Sequence, residues 1–137
     1  MILDASNLIV GRLASIVAKK LLLGEIIDIV NCDKAVVSGK KEFLILDYKR
    51  KRDMGTFVKG PFYFRSSERY VKRVIRGMVD YKKDRGRKAL KRIKCYSDVP
   101  EKLKDKKFET LKEADVLKIK NLNYMQVRKL LDFVCKK

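Results

Sequence analysis

Three pieces decide the fold: Ile2-Leu3-Asp4-Ala5, then Gly11-Arg12-Leu13-Ala14-Ser15-Ile16-Val17-Ala18-Lys19-Lys20-Leu21-Leu22-Leu23, then Ile26-Ile27-Asp28-Ile29-Val30. The first and third are short, apolar and without strict alternation, as expected of strands covered on both faces. The middle piece has helical period, with Leu13, Ala14, Ile16, Val17 and Leu21 as its core stripe. Lys19 and Lys20 suit the negative end of a helix dipole, and Gly24 stops the run. Strand, helix and strand in about thirty residues make a βαβ unit, and its strands are parallel. The turn after the first strand, Ala5 to Gly11, lacks both Gly-x-Gly-x-x-Gly and Gly-Lys-Ser/Thr. A nucleotide cofactor is therefore not expected there.

Outward from this unit, Asn31 to Gly39 reads as a link, and residues 40–51 as a second helix capped by Ser38. Phe43, Leu44, Leu46, Asp47 and Tyr48 give it a mixed face, and it runs out in Lys49-Arg50-Lys51-Arg52. Residues 53–61 read as an extended loop, punctuated by Gly60-Pro61. With few core aliphatics, residues 53–66 are expected to be mobile in the free protein and ordered by a polyanion. Ser66 or Ser67 then caps a third helix. Residues 84–92 form a short fourth helix, with Ala89, Leu90 and Ile93 inward, and Ile93 to Tyr96 alternates like a strand. Thr110-Leu111-Lys112-Glu113 matches a capping box. Asn123 to Gln126 resembles the start of a last helix with Tyr124, Val127, Leu131 and Val134 on one face. Neither a repeat nor a low-complexity linker divides the chain, so residues 1–137 are read as one domain.

Charge is concentrated. Residues 49–94 hold 18 Lys or Arg against 4 Asp or Glu, a net of +14, where the whole chain has 35 against 17 and a net of +18. Such a field attracts a polyanion, and nucleic acid is the commonest. Within the segment, Arg69, Lys72, Arg73 and Arg76 recur at i, i+3, i+4 and i+7, one face of a helix. Tyr70, Val71, Val74, Ile75 and Met78 take the other. Four like charges on one face repel, and a phosphate backbone relieves them. Lys59 in the loop and Lys82, Lys83, Arg85, Arg87 and Lys88 beyond the helix extend the surface. The rings of Phe57, Phe62, Tyr63, Phe64, Tyr70 and Tyr81 are interleaved with it. Rings beside cations can stack on unpaired bases, although at least half are expected to be core.

Other classes fare worse. The chain has no histidine, the commonest general base and metal ligand. Cys32, Cys95 and Cys135 are isolated, which argues for reduced thiols and against zinc or a disulfide frame. Neither an apolar run of membrane length nor a signal-like start is present, so a cytoplasmic location is expected. For an enzyme the carboxylates to consider are Asp4, Asp28 and Asp33, near strand ends, and turn or capping roles account for Asp4 and Asp33 more simply. No cofactor, metal or small-molecule substrate is expected.

Several strings resemble one family in the same order: Asp4-Ala5 with Gly11-Arg12-Leu13-Ala14-Ser15; Val30-Asn31 with Ala35-Val36 and Ser38-Gly39; Gly60-Pro61 with Phe64-Arg65; Ile75-Arg76-Gly77-Met78; and Lys82-Lys83 with Arg85-Gly86 and Ala89-Leu90. Over residues 1–97 the chain is similar to universal large-subunit ribosomal protein thirteen, archaeal and eukaryotic type. The resemblance implies a three-layer α/β/α fold around a mostly parallel four-stranded sheet. It also implies binding to large-subunit ribosomal RNA, a role in subunit assembly and contact with neighbouring ribosomal proteins. RNA contacts would fall on Arg65, Arg69, Arg76, Lys82, Lys83, Arg85 and Arg87. The chain departs from the family at Asp80-Tyr81, where a Pro-His pair is usual, and near Ser67, where a proline is. The competing reading is a free RNA-binding chaperone or regulator.

Overall fold

A computed structural model describes residues 1–56, 58–119 and 123–135, with the side chain of Cys135 outside the description. The βαβ unit forms as its pattern requires. Strand β1 (Ile2–Asp4), helix α1 (Val10–Leu23) and strand β2 (Ile27–Val30) follow in order, and the two strands pair in parallel with Leu3 opposite Ile29. Leu3, Ile27, Ile29 and Val30 have no exposed surface. Ile29 and Val30 point to opposite sides of the strand, so both faces of the sheet are covered there. Leu13, Ala14, Val17 and Leu21 of α1 are buried, whereas Ile16 is only half-buried and Val10 joins the core instead. Gly24 ends the helix in the left-handed region, at φ 107°. Its N–H donates to the Leu21 carbonyl and that of Glu25 to the Lys20 carbonyl, closing the last turn.

Past β2 the chain turns through Asn31, whose φ of 57° is a conformation asparagine tolerates better than most residues. The expected link then contains a strand, β3 (Val36–Ser38). Helix α2 (Lys41–Asp53) follows, with Lys40 at its cap position and no side chain capping it; Ser38 is used in β3 and does not cap. Helices α3 (Ser67–Met78) and α4 (Asp84–Lys91) fall where the periodicity places them. Strand β4 (Ile93–Cys95) joins the other edge of β2, again in parallel.

The parallel sheet thus has three strands in the order β1-β2-β4, where the resemblance implies four. Beyond β1 a single bridge, Leu3 with Glu109, stands in place of a fourth strand. Two expectations about the C-terminal third fail. The capping box at Thr110 gives only a 3₁₀ turn at Lys112–Ala114, with no side-chain cap. The residues read as the start of the last helix form strand β5 (Tyr124–Gln126), antiparallel to β3, and helix α5 (Val127–Cys135) begins directly after it. Their Tyr-Met-Gln sequence alternates, and the partner strand β3 decides the conformation against local helix propensity.

Helix α1 packs on α3 and α4, α3 also packs on β4, and α2 packs on α5. Val71 and Ile75 of α3 enter the main core with no exposed surface. Leu44 of α2 joins Met125, Leu130 and Val134 in a second, smaller cluster. Arg69 and Arg76 of α3 are therefore exposed, while Lys72 lies beside the edge strand β4.

Candidate nucleic-acid interface

Asp4, one of three carboxylates that an enzyme could use, ties the ends of β1 and β2 together. Its Oδ1 accepts the Ser6 N–H at 2.9 Å, the Ser6 hydroxyl at 2.8 Å and the Asn31 side-chain amide at 2.9 Å. Burial raises its pKa, but these bonds, Asn31 first, together outweigh burial and hold it below the ordinary carboxylate value. Asp33 faces Arg128 at 3.5 Å. Asp28 sits mid-strand opposite Lys94, with one carboxylate oxygen buried and without a partner among the described residues. These acids are dispersed over the sheet and its turns. Among the described residues no group of three or more Cys, Asp or Glu stands together as a metal site would.

The cations are gathered. Of the eleven candidate residues, Lys59, Arg65, Arg69, Lys72, Arg76, Lys82, Lys83, Arg85, Arg87 and Lys88 are exposed, and only Arg73 is half-buried. Arg69, Lys72, Arg73 and Arg76 lie along α3; Lys82 and Lys83 lie in the turn after it; Arg85, Arg87 and Lys88 lie on α4. Lys83 pairs with Asp80 at 3.0 Å and Arg87 with Asp84 at 3.6 Å. Both pairs are exposed and weak. Among the described residues the other candidates make no ion pair.

Several of these cations are held in place without being neutralised. The Arg73 guanidinium lies 4.7 Å from the Tyr63 ring centroid and 5.7 Å from that of Phe64, and it donates to the Phe62 carbonyl at 2.9 Å. Arg69 lies 5.9 Å from the Phe64 ring and Arg76 5.1 Å from the Tyr81 ring. Lys72 donates to the Ile93 carbonyl at 3.2 Å. The spacing places Arg73 on the RNA-facing stripe; in the fold it also pins the loop at 62–64 against α3. On the apolar side, Tyr70, Val71 and Ile75 are buried and Val74 half-buried, while Met78 is 44% exposed and does not belong to the core stripe. The expected serine cap is absent: Ser66 makes no capping bond, and the buried Ser67 hydroxyl has no partner among the described residues.

In the sequence Lys49 to Arg52 reads as a helix end; in the fold Lys51 and Arg52 also line a cavity. The C-terminal turn of α2, the 61–65 loop, α3 and α5 enclose a cavity of about 540 Å³. Tyr48, Tyr63, Phe64 and Tyr70 supply its rings, and Lys51, Arg52, Arg65 and Arg73 its charges. Lys51 bonds to Asp47, which raises the lysine pKa and lowers that of the carboxylate. Arg52 donates to the Val134 carbonyl. The Tyr48 and Tyr70 hydroxyls bond to each other. Burial first, and then Tyr48, raise the Tyr70 pKa, so its phenol stays protonated at neutral pH. The run of basic residues beside Tyr48 was the available signal; the 22-residue step that brings Tyr70 to Tyr48 leaves none. Phe57 lies outside the described residues.

The profile of the family described as ribosomal protein L13 matches residues 1–102. The chain belongs to that family. It is 43% identical over 127 residues to the large ribosomal subunit protein uL13 of Methanosarcina barkeri, covering 92% of this chain and 91% of that one. It is 48% identical to the protein of the same name from Picrophilus torridus, over 82% of this chain and 81% of the relative. For that of Archaeoglobus fulgidus the identity is 44%, over 86% and 76% of the two chains. The L13 profile ends at residue 102, so it covers α3, α4 and β4, the whole of the basic segment.

Proposed function

We infer that this chain is a structural constituent of the large ribosomal subunit. It binds large-subunit ribosomal RNA through the surface carried by α3, the turn after it and α4, supports subunit assembly and contacts neighbouring ribosomal proteins in the cytoplasm. One observation carries the choice of surface. Ten of the eleven candidate cations are exposed on contiguous stretches of chain, and only two of the eleven are ion-paired among the described residues. The family relationship supplies the identity of the polyanion. The chain acts as a single domain, without catalysis: the acids are dispersed and used in turns and pairs, and the L13 family is a family of structural ribosomal proteins.

Phosphate neutralisation makes affinity fall with salt through counterion release. If about 6–8 phosphates are engaged, log K against log salt slopes at about −4 to −7 on large-subunit RNA fragments. In cell fractionation the chain sediments with large subunits at about one copy each and is released by RNase. A flat salt response, or a protein found mainly free of subunits, contradicts the assignment.

A further inference from the structure

The cavity between α2, the 61–65 loop, α3 and α5 shares Arg65 and Arg73 with the cationic surface, and its chemistry is not that of a packing defect. Among the described residues its walls hold four aromatic rings and no carboxylate. At about 540 Å³ it lies within the 300–1,000 Å³ range of small-ligand sites. We propose that this cavity receives one unpaired nucleotide of the bound RNA, its base stacked against Tyr63 and Phe64 and its phosphate on Arg65. The proposal rests on the ribosomal-RNA reading above.

Three features favour a nucleotide over an apolar peptide. First, Tyr63 and Phe64 are partly exposed, and aromatic faces beside arginine are what an unstacked base seeks. Second, charge at the cavity is graded. Lys51 is taken by Asp47, Arg52 by the Val134 carbonyl and Arg73 by the Phe62 carbonyl and the Tyr63 and Phe64 rings, whereas Arg65 is exposed and without an ion pair among the described residues. An anion on the occupant therefore has one uncommitted partner at the mouth. Third, the hydroxyls of Tyr48 and Tyr70 together own two protons, and their mutual bond uses one. The other has no acceptor among the described residues, and a base edge offers ring nitrogens and carbonyl oxygens. A hydrocarbon side chain would leave this donor unanswered.

The test compares the full-length protein with its Tyr63→Leu variant on two RNA probes at fixed salt. One is a hexa-adenylate, which holds no base pairs; the other is a hairpin closed by a non-nucleotide linker, so that every base is paired. Removing a stacking face costs roughly tenfold in affinity for a single-stranded probe. The expected result is that loss on the hexa-adenylate, a hairpin affinity within about twofold of wild type, and an unchanged salt slope, because no phosphate contact is removed. Photo-crosslinking of a 4-thiouridine hexamer to the wild-type protein gives a second reading that does not depend on the variant folding. The adducts are expected on the peptide holding Tyr63 and Phe64. Equal losses on both probes, no loss on either, or adducts confined to residues 82–92 overturn the proposal. If wild type fails to bind large-subunit RNA fragments at all, the ribosomal reading itself falls. If it binds them with a steep salt slope while Tyr63→Leu changes nothing, only the nucleotide pocket falls, and the cavity is left to a protein segment.

Discussion

Replacing Arg73 by glutamine separates the two things this side chain does. Its guanidinium holds the 62–64 stretch by one charge-assisted bond, to the Phe62 carbonyl at 2.9 Å, and by faces on Tyr63 and Phe64. A bond to a charged donor is worth about 1.5–3 kcal/mol when shielded, and this one is exposed, so about 1 kcal/mol is the fair figure. Each cation–π contact at an exposed site adds about 0.5 kcal/mol. The loop therefore loses about 2 kcal/mol of docking, and its open population rises roughly thirtyfold. Because the core residues of α3, Val71 and Ile75, are untouched, the global melting temperature moves by no more than a few degrees. Limited trypsin digestion reads the local effect directly. Cleavage after Lys59 and Arg65 accelerates in proportion to the open population when reclosing outpaces cleavage. Arg76→Gln is the control, since Arg76 contacts Tyr81 and not the loop. Unchanged cleavage in Arg73→Gln, or equal acceleration in Arg76→Gln, refutes the pinning role.

Further expectations follow from single sites. An added Cβ at Gly86 overlaps the Asp80 backbone carbonyl, so Gly86→Ala strains the α3–α4 junction and costs about 1–3 kcal/mol, seen as a lower melting temperature. Gly77 is exposed near the end of α3 with nothing within 4 Å of an added methyl. Gly77→Ala therefore stabilises the free protein by about 0.5–1 kcal/mol; if RNA lies against the Arg69–Arg73 stripe, as proposed, it lowers RNA affinity several-fold, and unchanged affinity in filter binding removes RNA from that stripe. Asp4 has its folded pKa below its ordinary value of 3.8. Its stabilising share is thus fully present above the unfolded pKa and is lost as pH falls from about 5 through the depressed folded value. In urea titrations Asp4→Asn is less stable than wild type at neutral pH, and its acid limb is shallower; an unaltered acid limb contradicts the network's role.

The βαβ unit, α3 and α4 were legible because each is set by a period within its own residues. Leu13, Ala14, Val17 and Leu21 bury themselves on α1 whatever follows, and Gly24 ends that helix by its own φ. The arrangement of β3 and β5 was not legible. Neither strand has three residues' worth of decisive propensity, and each is defined by the other across 85 or more intervening residues. Caps were the weakest reading. Ser38, Ser66 and Thr110 have the right chemistry, yet Ser38 is claimed by a ladder and neither Ser66 nor Thr110 makes a capping bond. Of the candidate site, the charge stripe could be read from spacing alone. What spacing could not show is which cations are committed inward, because Phe62, Ile93 and Val134 enter the account only through the fold.

The arrangement on α3 carries a physical consequence for how an anion would be met. Arg69 with Arg73 and Lys72 with Arg76 are like-charged i,i+4 pairs, each unfavourable by about 0.2–0.5 kcal/mol in an isolated helix. Among the described residues no carboxylate, which would compete with phosphate, pairs with them. The chain uses rings and carbonyls: Phe64, Tyr63 and Tyr81 under the arginines, and the Phe62 and Ile93 carbonyls for Arg73 and Lys72. A guanidinium over a ring still has N–H donors free, and these are the groups that take a phosphate. Stacking also removes rotamer freedom before binding, so less ordering entropy remains to be lost when RNA arrives. Lysine at Arg69 or Arg76 would preserve the charge but lose both the planar edge and the pre-set orientation.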